Sequence, residues 1–285
     1  MKLPQRALVL AMVVATANTL SAQTMRSFNA TRPAAGERML RATLDFGAGR
    51  VVVQPGSSGS LYRAVLRYDA ERAAPVQDYD ARTGILHLGL EAVGGGGVRV
   101  TSRAQLDQTG RFEFSPDIPL SFTANLGAAD ATMDLGGTTL VDLAIWSGAT
   151  RSSLTFSRPT KGECRKASFT VGASELDVRQ LANAGCDEIT VEGGVGRATL
   201  GFEGEWRRNS AVAVALSMGT LTLRVPRGVG LQITAGRFLT SLDVEGLIKR
   251  GNVWSTEGFS IAPRKLTIEL KTSMAGVNVE WVGAR

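Results

Sequence analysis

The chain is short of histidine, cysteine and aromatic residues, and each shortage removes a class of function. Its 285 residues include one histidine, His87, and two cysteines, Cys164 and Cys186. A single histidine excludes most histidine-based metal sites and most Ser–His or Cys–His catalytic groups that do not use His87. Two cysteines exclude a multi-cysteine zinc site. Aromatic residues make up 6% of the chain, and beyond the N-terminus no stretch of ten residues has helical periodicity.

Glycine is abundant, with 33 residues, and apolar residues recur in short or alternating runs. A chain rich in glycine and poor in proline, without a collagen period, is typical of an all-β protein with many turns. His87 interrupts one of these runs, so we expect it to point outward from a half-buried strand. The predicted strands begin with Leu44–Phe46, Val51–Val53, Leu61–Leu66, Ile85–Leu90, Val98–Val100 and Phe112–Phe114.

The first 22 residues have the pattern of a secretory signal peptide. Lys2 and Arg6 precede a short apolar run from Ala7 to Ala17, and Ala22 ends a cleavage-like triplet. We therefore expect export to the periplasm, the cell surface or the medium. The alternative is an uncleaved N-terminal anchor, although the apolar run is shorter than the roughly 20 residues that span a bilayer. No later stretch is long and apolar enough to span a membrane, and residues 23–39 are predicted to be a flexible lead-in.

The net charge of the chain is small once the predicted signal peptide is removed. Cleavage after residue 22 lowers the formal net charge from +6 to +4. Such a balance fits weak attraction to anionic polymers but not the dense basic surface of a nucleic-acid-binding protein. We therefore expect no nucleic-acid partner.

An internal repeat organises the rest of the chain. A short pattern that begins at a small residue recurs from Gly127 to Ser217 with spacings of 21, 24, 22 and 23 residues. The residues four, six and eight positions after this anchor are mostly apolar, and those between them are mostly polar. The anchors are Gly47, Gly127, Gly148, Gly172, Gly194, Ser217, Thr234 and Ser273.

A two-residue period inside a period of about 22 residues is typical of a β-solenoid, in which each rung buries its apolar face only by stacking on its neighbours. We therefore predict an all-β, right-handed parallel β-helix-like stack with rungs of about 22 residues. The predicted domains are a signal peptide at 1–22, a lead-in at 23–39, an N-terminal β module at 40–118 and the solenoid at 119–285.

Two further columns support this alignment. Three residues after the anchor, charges alternate in sign through Asp130, Arg151, Glu175 and Arg197, which predicts a solvated salt-bridge ladder. Cys164 and Cys186 each precede an anchor by eight residues, so they occupy the same position on adjacent rungs. This offset and an oxidising compartment predict a Cys164–Cys186 disulfide, and the alternative is two stacked free thiols.

The repeat columns do not supply catalytic groups. Enzymes that cleave polysaccharides need paired carboxylates, and Asp130 and Glu175 are separated by the Arg151 rung. Hydrolase, β-lactamase, zinc-protease and EF-hand motifs are also missing from the sequence. We therefore expect no enzyme, no cofactor and no metal site. Tryptophans are candidates for sugar stacking if exposed, and core or turn packing is the ordinary alternative for Trp146, Trp206, Trp254 and Trp281.

The repeat segments resemble the toast-rack domain of LiaF-type cell-envelope stress proteins and of related adhesin-like proteins. The resemblance is carried by Pro119–Gly136, by the rungs at Gly148, Gly172 and Gly194, and by Leu200–Trp206, while Leu44–Gly49 resembles the N-terminal toast-rack module. It implies a stacked β fold used for interaction, assembly or envelope sensing, with no catalytic residues. LiaF-type proteins carry membrane helices where this chain carries a signal peptide.

These observations predict an exported, non-enzymatic interaction module of the cell envelope, adhesin-like and with a role in envelope stress. Its expected partner is an envelope protein or an anionic or glycan surface polymer. The alternative is a glycan-binding or carbohydrate-active β-helix protein. A third interpretation is a structural protein that self-associates through open solenoid ends.

Overall fold

A computed structural model of the chain describes residues 24–94, 107–236 and 245–283. The predicted signal peptide at 1–22 and the predicted strand at Val98–Val100 lie outside these ranges, as does most of the repeat copy that begins at Thr234. No helix in the described ranges is long and apolar enough to cross a membrane.

The described residues form mainly strands and almost no helix, which confirms the all-β prediction. Sixteen strands form one continuous sheet, with a short helix α1 at Leu181–Ala184 and a 3-10 turn at Phe259–Ile261. In chain order the strands are β1 (Met25–Pro33), β2 (Leu40–Pro55), β3 (Ser60–Asp69), β4 (Ala73–Asp80), β5 (Ile85–Ala92), β6 (Thr109–Phe114), β7 (Leu120–Asp134), β8 (Leu140–Ser147), β9 (Arg151–Thr155), β10 (Lys166–Arg179), β11 (Glu188–Gly201), β12 (Ser210–Pro226), β13 (Gly230–Ala235), β14 (Leu247–Arg250), β15 (Val253–Thr256) and β16 (Lys265–Val282).

Long strands lie parallel in the register that the repeat predicts. Lys166 pairs with Glu188 and Glu188 with Ala211, so successive strands are offset by one repeat. The inward columns are buried as expected. They include Ala131, Ser152, Leu176, Ala198 and Leu221, which follow their anchors by four residues and belong to the buried part of the structure.

The sheet is mixed rather than purely parallel, contrary to a simple parallel stack. β1 and β6 both pair antiparallel with β3, and β4 pairs antiparallel with β5. At the other end β15 pairs antiparallel with β13 and β14. Of these antiparallel pairs, β4–β5 and β14–β15 join strands that are consecutive in the chain, as a short hairpin allows, whereas the others join strands that are not consecutive.

Two sequence predictions were wrong in detail. The lead-in at 23–39 was expected to be flexible, but β1 pairs with the whole length of β3, and Phe28 and Ala30 pack against the core. β1 is an edge strand that buries only a few apolar side chains, so its mainly polar sequence does not show the alternation that predicts a strand. The copy at Thr234 is also out of register, because Thr234 pairs with Glu269 rather than with Ser273.

The order of the last strands explains the second error. β16 lies between β12 and β13, so the strand that follows β12 in the chain is not its neighbour in the sheet. The segment at Gly246–Gly251 contributes β14 to a hairpin with β15. This hairpin ends the strand order beside β13, where it covers the sheet edge.

Candidate interaction surface

The strands change the phase of their side-chain alternation at the repeat anchors. In β10, Val171 and Ser174 are buried while the two residues between them, Gly172 and Ala173, are exposed. Two consecutive outward residues replace the usual alternation, and the strand turns a corner there. The anchors must be small at this corner, since a Cβ on Gly127 would lie 2.3 Å from the backbone oxygen of Gly47.

The second outward position forms an exposed apolar line, which we call the apolar ridge. Val195, Met218 and Met274 lie on adjacent strands β11, β12 and β16 and are Cα partners in register. Their exposed fractions are 53%, 44% and 68%. Toward the N-terminal strands the same column contains only alanines: Ala173 and Ala149 are exposed, Ala128 is half-buried and Ala48 is buried.

The predicted charge ladder lies on β7, β9, β10 and β11, so it meets the apolar ridge only on β11. Asp130 pairs in register with Arg151, Arg151 with Glu175, and Glu175 with Arg197. Glu175 forms ion pairs with both arginines, with N–O distances of 3.2 Å to Arg151 and 3.8 Å to Arg197. All three side chains are more than half exposed, so solvent screening keeps each ion pair weak. The ladder therefore borders the apolar ridge only through Arg197, which follows Val195 by two residues on β11.

A groove of about 590 Å³ lies on β2, β7, β8 and β10, and we call it the Trp146 groove. Its lining combines the side chains of Asp45, Asn125, Trp146 and Thr170 with the anchor glycines at 47, 127, 148 and 172. Trp146 is 54% exposed, although β8 lies inside the sheet. Asn125 donates a hydrogen bond from Nδ2 to Asp45 Oδ1 at 2.7 Å. The groove thus holds an aromatic face beside a fixed polar pair.

The structure separates the other residues that the sequence singled out. His87 is exposed on β5, as predicted, and pairs with Thr43 and Asp78. Trp206 and Trp281 pack partly against the core, and their indole N–H groups donate to backbone oxygens. Trp254 is buried. Of the four tryptophans, only Trp146 therefore offers a face to solvent.

The two cysteines lie beside the start of β10 and β11. The structure joins Cys164 to Cys186 by a disulfide, with their Cα atoms 4.3 Å apart. Both side chains are buried. The parallel register that begins at Lys166 and Glu188 extends back by two residues to place the cysteines side by side.

Sequence reasoning did not identify the apolar ridge, although the alignment contained its signal. The columns four, six and eight residues after each anchor are inward, so the odd position one residue after the anchor is outward. That outward column is apolar in every described copy of the repeat that keeps the register. The described ranges contain no group of three or more His, Cys, Asp and Glu side chains that could hold a metal ion.

Comparisons with known proteins give similar folds at low identity. A protein of Clostridium sporogenes provisionally described as a cell adhesion protein is 15% identical, with 90% of this chain and 100% of that chain covered and a TM-score of 0.46. A provisionally described adhesin of Bacteroides fragilis is 9% identical, with 92% and 98% covered and a TM-score of 0.39. No curated protein matches the chain.

A family model matches residues 20–178, which is more than half of the chain and extends from β1 to β10. The family is described as the N-terminal domain of toast_rack, DUF2154. The chain belongs to this toast-rack family.

Proposed function

We propose that the chain is an exported, non-enzymatic and adhesin-like interaction module of the cell envelope, and that it binds its partner through the apolar ridge. The observation that carries this proposal is the exposure of Val195, Met218 and Met274 in register on three adjacent strands. Contiguous exposed apolar side chains with polar borders mark interaction surfaces on soluble proteins. Membership of the toast-rack family supports the fold of the chain, and the description of the family names no partner.

The finer parts of the proposal come from the sequence. Export is supported by the leader at residues 1–22, and a role in envelope stress by the resemblance to LiaF-type proteins. We further propose a right-handed solenoid over residues 119–285, preceded by an N-terminal module at 40–118. The offset of one repeat between the parallel strands β10, β11 and β12 supports this architecture.

The fold itself does not require large side chains on the apolar ridge. The strands turn the same corner at Ala149 and Ala173, where a methyl group suffices. Val195, Met218 and Met274 therefore add apolar surface that the corner does not need. Excess exposed apolar surface costs solubility, so its presence on three consecutive strands favours a binding role.

A direct test measures binding of the purified mature chain to isolated bacterial cell envelopes by co-sedimentation. Met218→Asp with Met274→Asp places two charges on the apolar ridge, and we expect the bound fraction to fall strongly. Thr267→Asp is the matched control, since Thr267 is exposed on the same strand β16 but away from the apolar ridge. Equal binding by all variants would refute the assignment of the apolar ridge.

The alternative of a glycan-binding protein is favoured by one observation, the solvent-facing ring of Trp146 in its groove. The further alternative of a carbohydrate-active enzyme has less support. It needs two carboxylates about 5–10 Å apart around a substrate, and the ladder places an arginine between Asp130 and Glu175. Turnover of polysaccharide by the purified chain would establish the enzyme instead.

A further inference from the structure

Trp146 lies where a large aromatic ring is unexpected. It is an outward residue of β8, between Asn125 of β7 and Thr170 of β10, which are its direct partners in register. Parallel neighbours lie about 4.8 Å apart, so the indole ring is bordered by a short polar side chain on each side. The ring is more than half exposed, and its two direct neighbours have shorter side chains.

The floor of the Trp146 groove is bare backbone. Gly127, Gly148 and Gly172 have no side chains there, and each is held against the preceding strand, since an added Cβ would lie 2.3–2.8 Å from a backbone oxygen. A ligand can therefore approach the backbone beside Trp146 without displacing a side chain. The same closeness keeps the floor rigid.

Asp45 and Asn125 supply hydrogen-bonding groups in a fixed arrangement. The 2.7 Å hydrogen bond between them holds both side chains and uses one carboxylate oxygen and one amide hydrogen. In the described part of the chain no bond occupies the second carboxylate oxygen or the amide oxygen. These two acceptors and the second amide hydrogen can bind adjacent hydroxyl groups of one ligand.

We propose that the Trp146 groove binds one pyranose ring of a neutral glycan. An aromatic platform beside a few fixed polar groups is the arrangement that a sugar requires, because one face of its ring presents C–H groups and its edge presents hydroxyls. Among the described residues that line the groove, Asp45 is the only charged one, so its carboxylate disfavours an anionic sugar. The inference goes beyond the proposed function, since the Trp146 groove lies on strands that do not carry the apolar ridge.

The test is calorimetric titration of the mature chain with neutral tetrasaccharides, together with saturation-transfer NMR. The probes are cellotetraose, maltotetraose and the tetramer of N-acetylglucosamine, with tetragalacturonate as the anionic comparison. We expect at least one neutral probe to bind, and Trp146→Ala to weaken that binding by about tenfold or more, which corresponds to the loss of one well-placed contact.

Two further variants distinguish the effect of losing the aromatic ring from the effect of disrupting the fold. Trp146→Phe retains an aromatic face and should keep much of the affinity, whereas Asn125→Ala should lose affinity through the polar pair. Thr267→Ala is the control, since Thr267 is exposed on β16 outside the groove, and this variant should bind the glycan like the parent. Circular dichroism of each variant verifies that the sheet is intact.

Three outcomes would overturn the inference. These are no binding of any neutral probe, stronger binding of tetragalacturonate than of the neutral probes, and binding that Trp146→Ala leaves unchanged. Failure here is distinct from failure of the proposed function. If the Met218→Asp and Met274→Asp chain still loses envelope binding while no glycan binds, only the glycan assignment is wrong.

Discussion

The disulfide between Cys164 and Cys186 offers a quantitative test of the stacked architecture. The two cysteines are 22 residues apart in sequence and close a loop of one repeat. In the chain-entropy description, cross-linking a loop of this length stabilises the folded state by roughly 3 kcal/mol. We therefore expect Cys164→Ala with Cys186→Ala to lower the free energy of unfolding by about that amount.

The folded geometry around the cysteines does not depend on the bond alone. The backbone oxygen of Cys164 accepts a hydrogen bond from the Asp187 N–H, and that of Cys186 accepts one from Ser210 Oγ. Because these bonds hold both segments, loss of the disulfide should act mainly on the unfolded chain. At 2–4 °C per kcal/mol for a chain of this size, we expect Tm to fall by roughly 6–12 °C.

Urea unfolding followed by circular dichroism measures the effect, with and without dithiothreitol. The reductant should lower the midpoint of the parent chain to about that of the double alanine variant and leave the variant unchanged. Thiol labelling of the unreduced, unfolded parent gives an independent reading. Two reactive thiols in that experiment, or an equal midpoint for parent and variant, would refute the reasoning.

Two other perturbations test single positions. Lys161 donates a 2.6 Å hydrogen bond to Asp117 and lowers the pKa of that carboxyl, so its stabilising effect is present above the ordinary aspartate pKa and is lost as pH falls through the lowered value. Asp117→Asn should therefore reduce the loss of stability between pH 7 and pH 3, and an unchanged pH dependence in thermal unfolding would contradict this. Gly196 has a φ of +158°, and an added Cβ would lie 2.0 Å from the Ser174 backbone oxygen. Gly196→Ala should cost more than about 1 kcal/mol of stability, whereas Gly276→Ala, with open space around it, should cost little.

Much of the fold was predictable because its signals are local and periodic. The alternation after each anchor fixes which side chains are inward, and the anchor spacing fixes the offset between parallel neighbours, as the Lys166–Glu188 and Glu188–Ala211 pairs show. The matched offsets of Cys164 and Cys186 follow from the same register. These features depend only on neighbouring repeats, so a single sequence contains them.

The remaining features depend on contacts that have no period. β16 pairs with β12 and β13 and lies between them in the sheet. The alternation of apolar and polar residues predicts that a segment is a strand, but it does not predict which strands are its neighbours. The same holds for β1, whose polar sequence is ordered by pairing with β3. The exposure of Trp146 is also a tertiary property, because an outward position on a strand becomes a groove wall only beside the bare anchor glycines.

Truncation of the apolar ridge should affect envelope binding without affecting the stability of the fold. Since the corner at Ala149 and Ala173 needs only a methyl group, Val195→Ala, Met218→Ala and Met274→Ala should each change the free energy of unfolding by no more than about 0.5 kcal/mol. The triple variant should nevertheless lose envelope binding, as measured by co-sedimentation beside the parent and the Thr267→Asp control. A buried apolar residue behaves differently, because truncating one costs about 2–5 kcal/mol. If truncation at the three ridge positions lowered the free energy of unfolding by that amount, these side chains would be part of the core, and the assignment of the apolar ridge as a binding surface would be wrong.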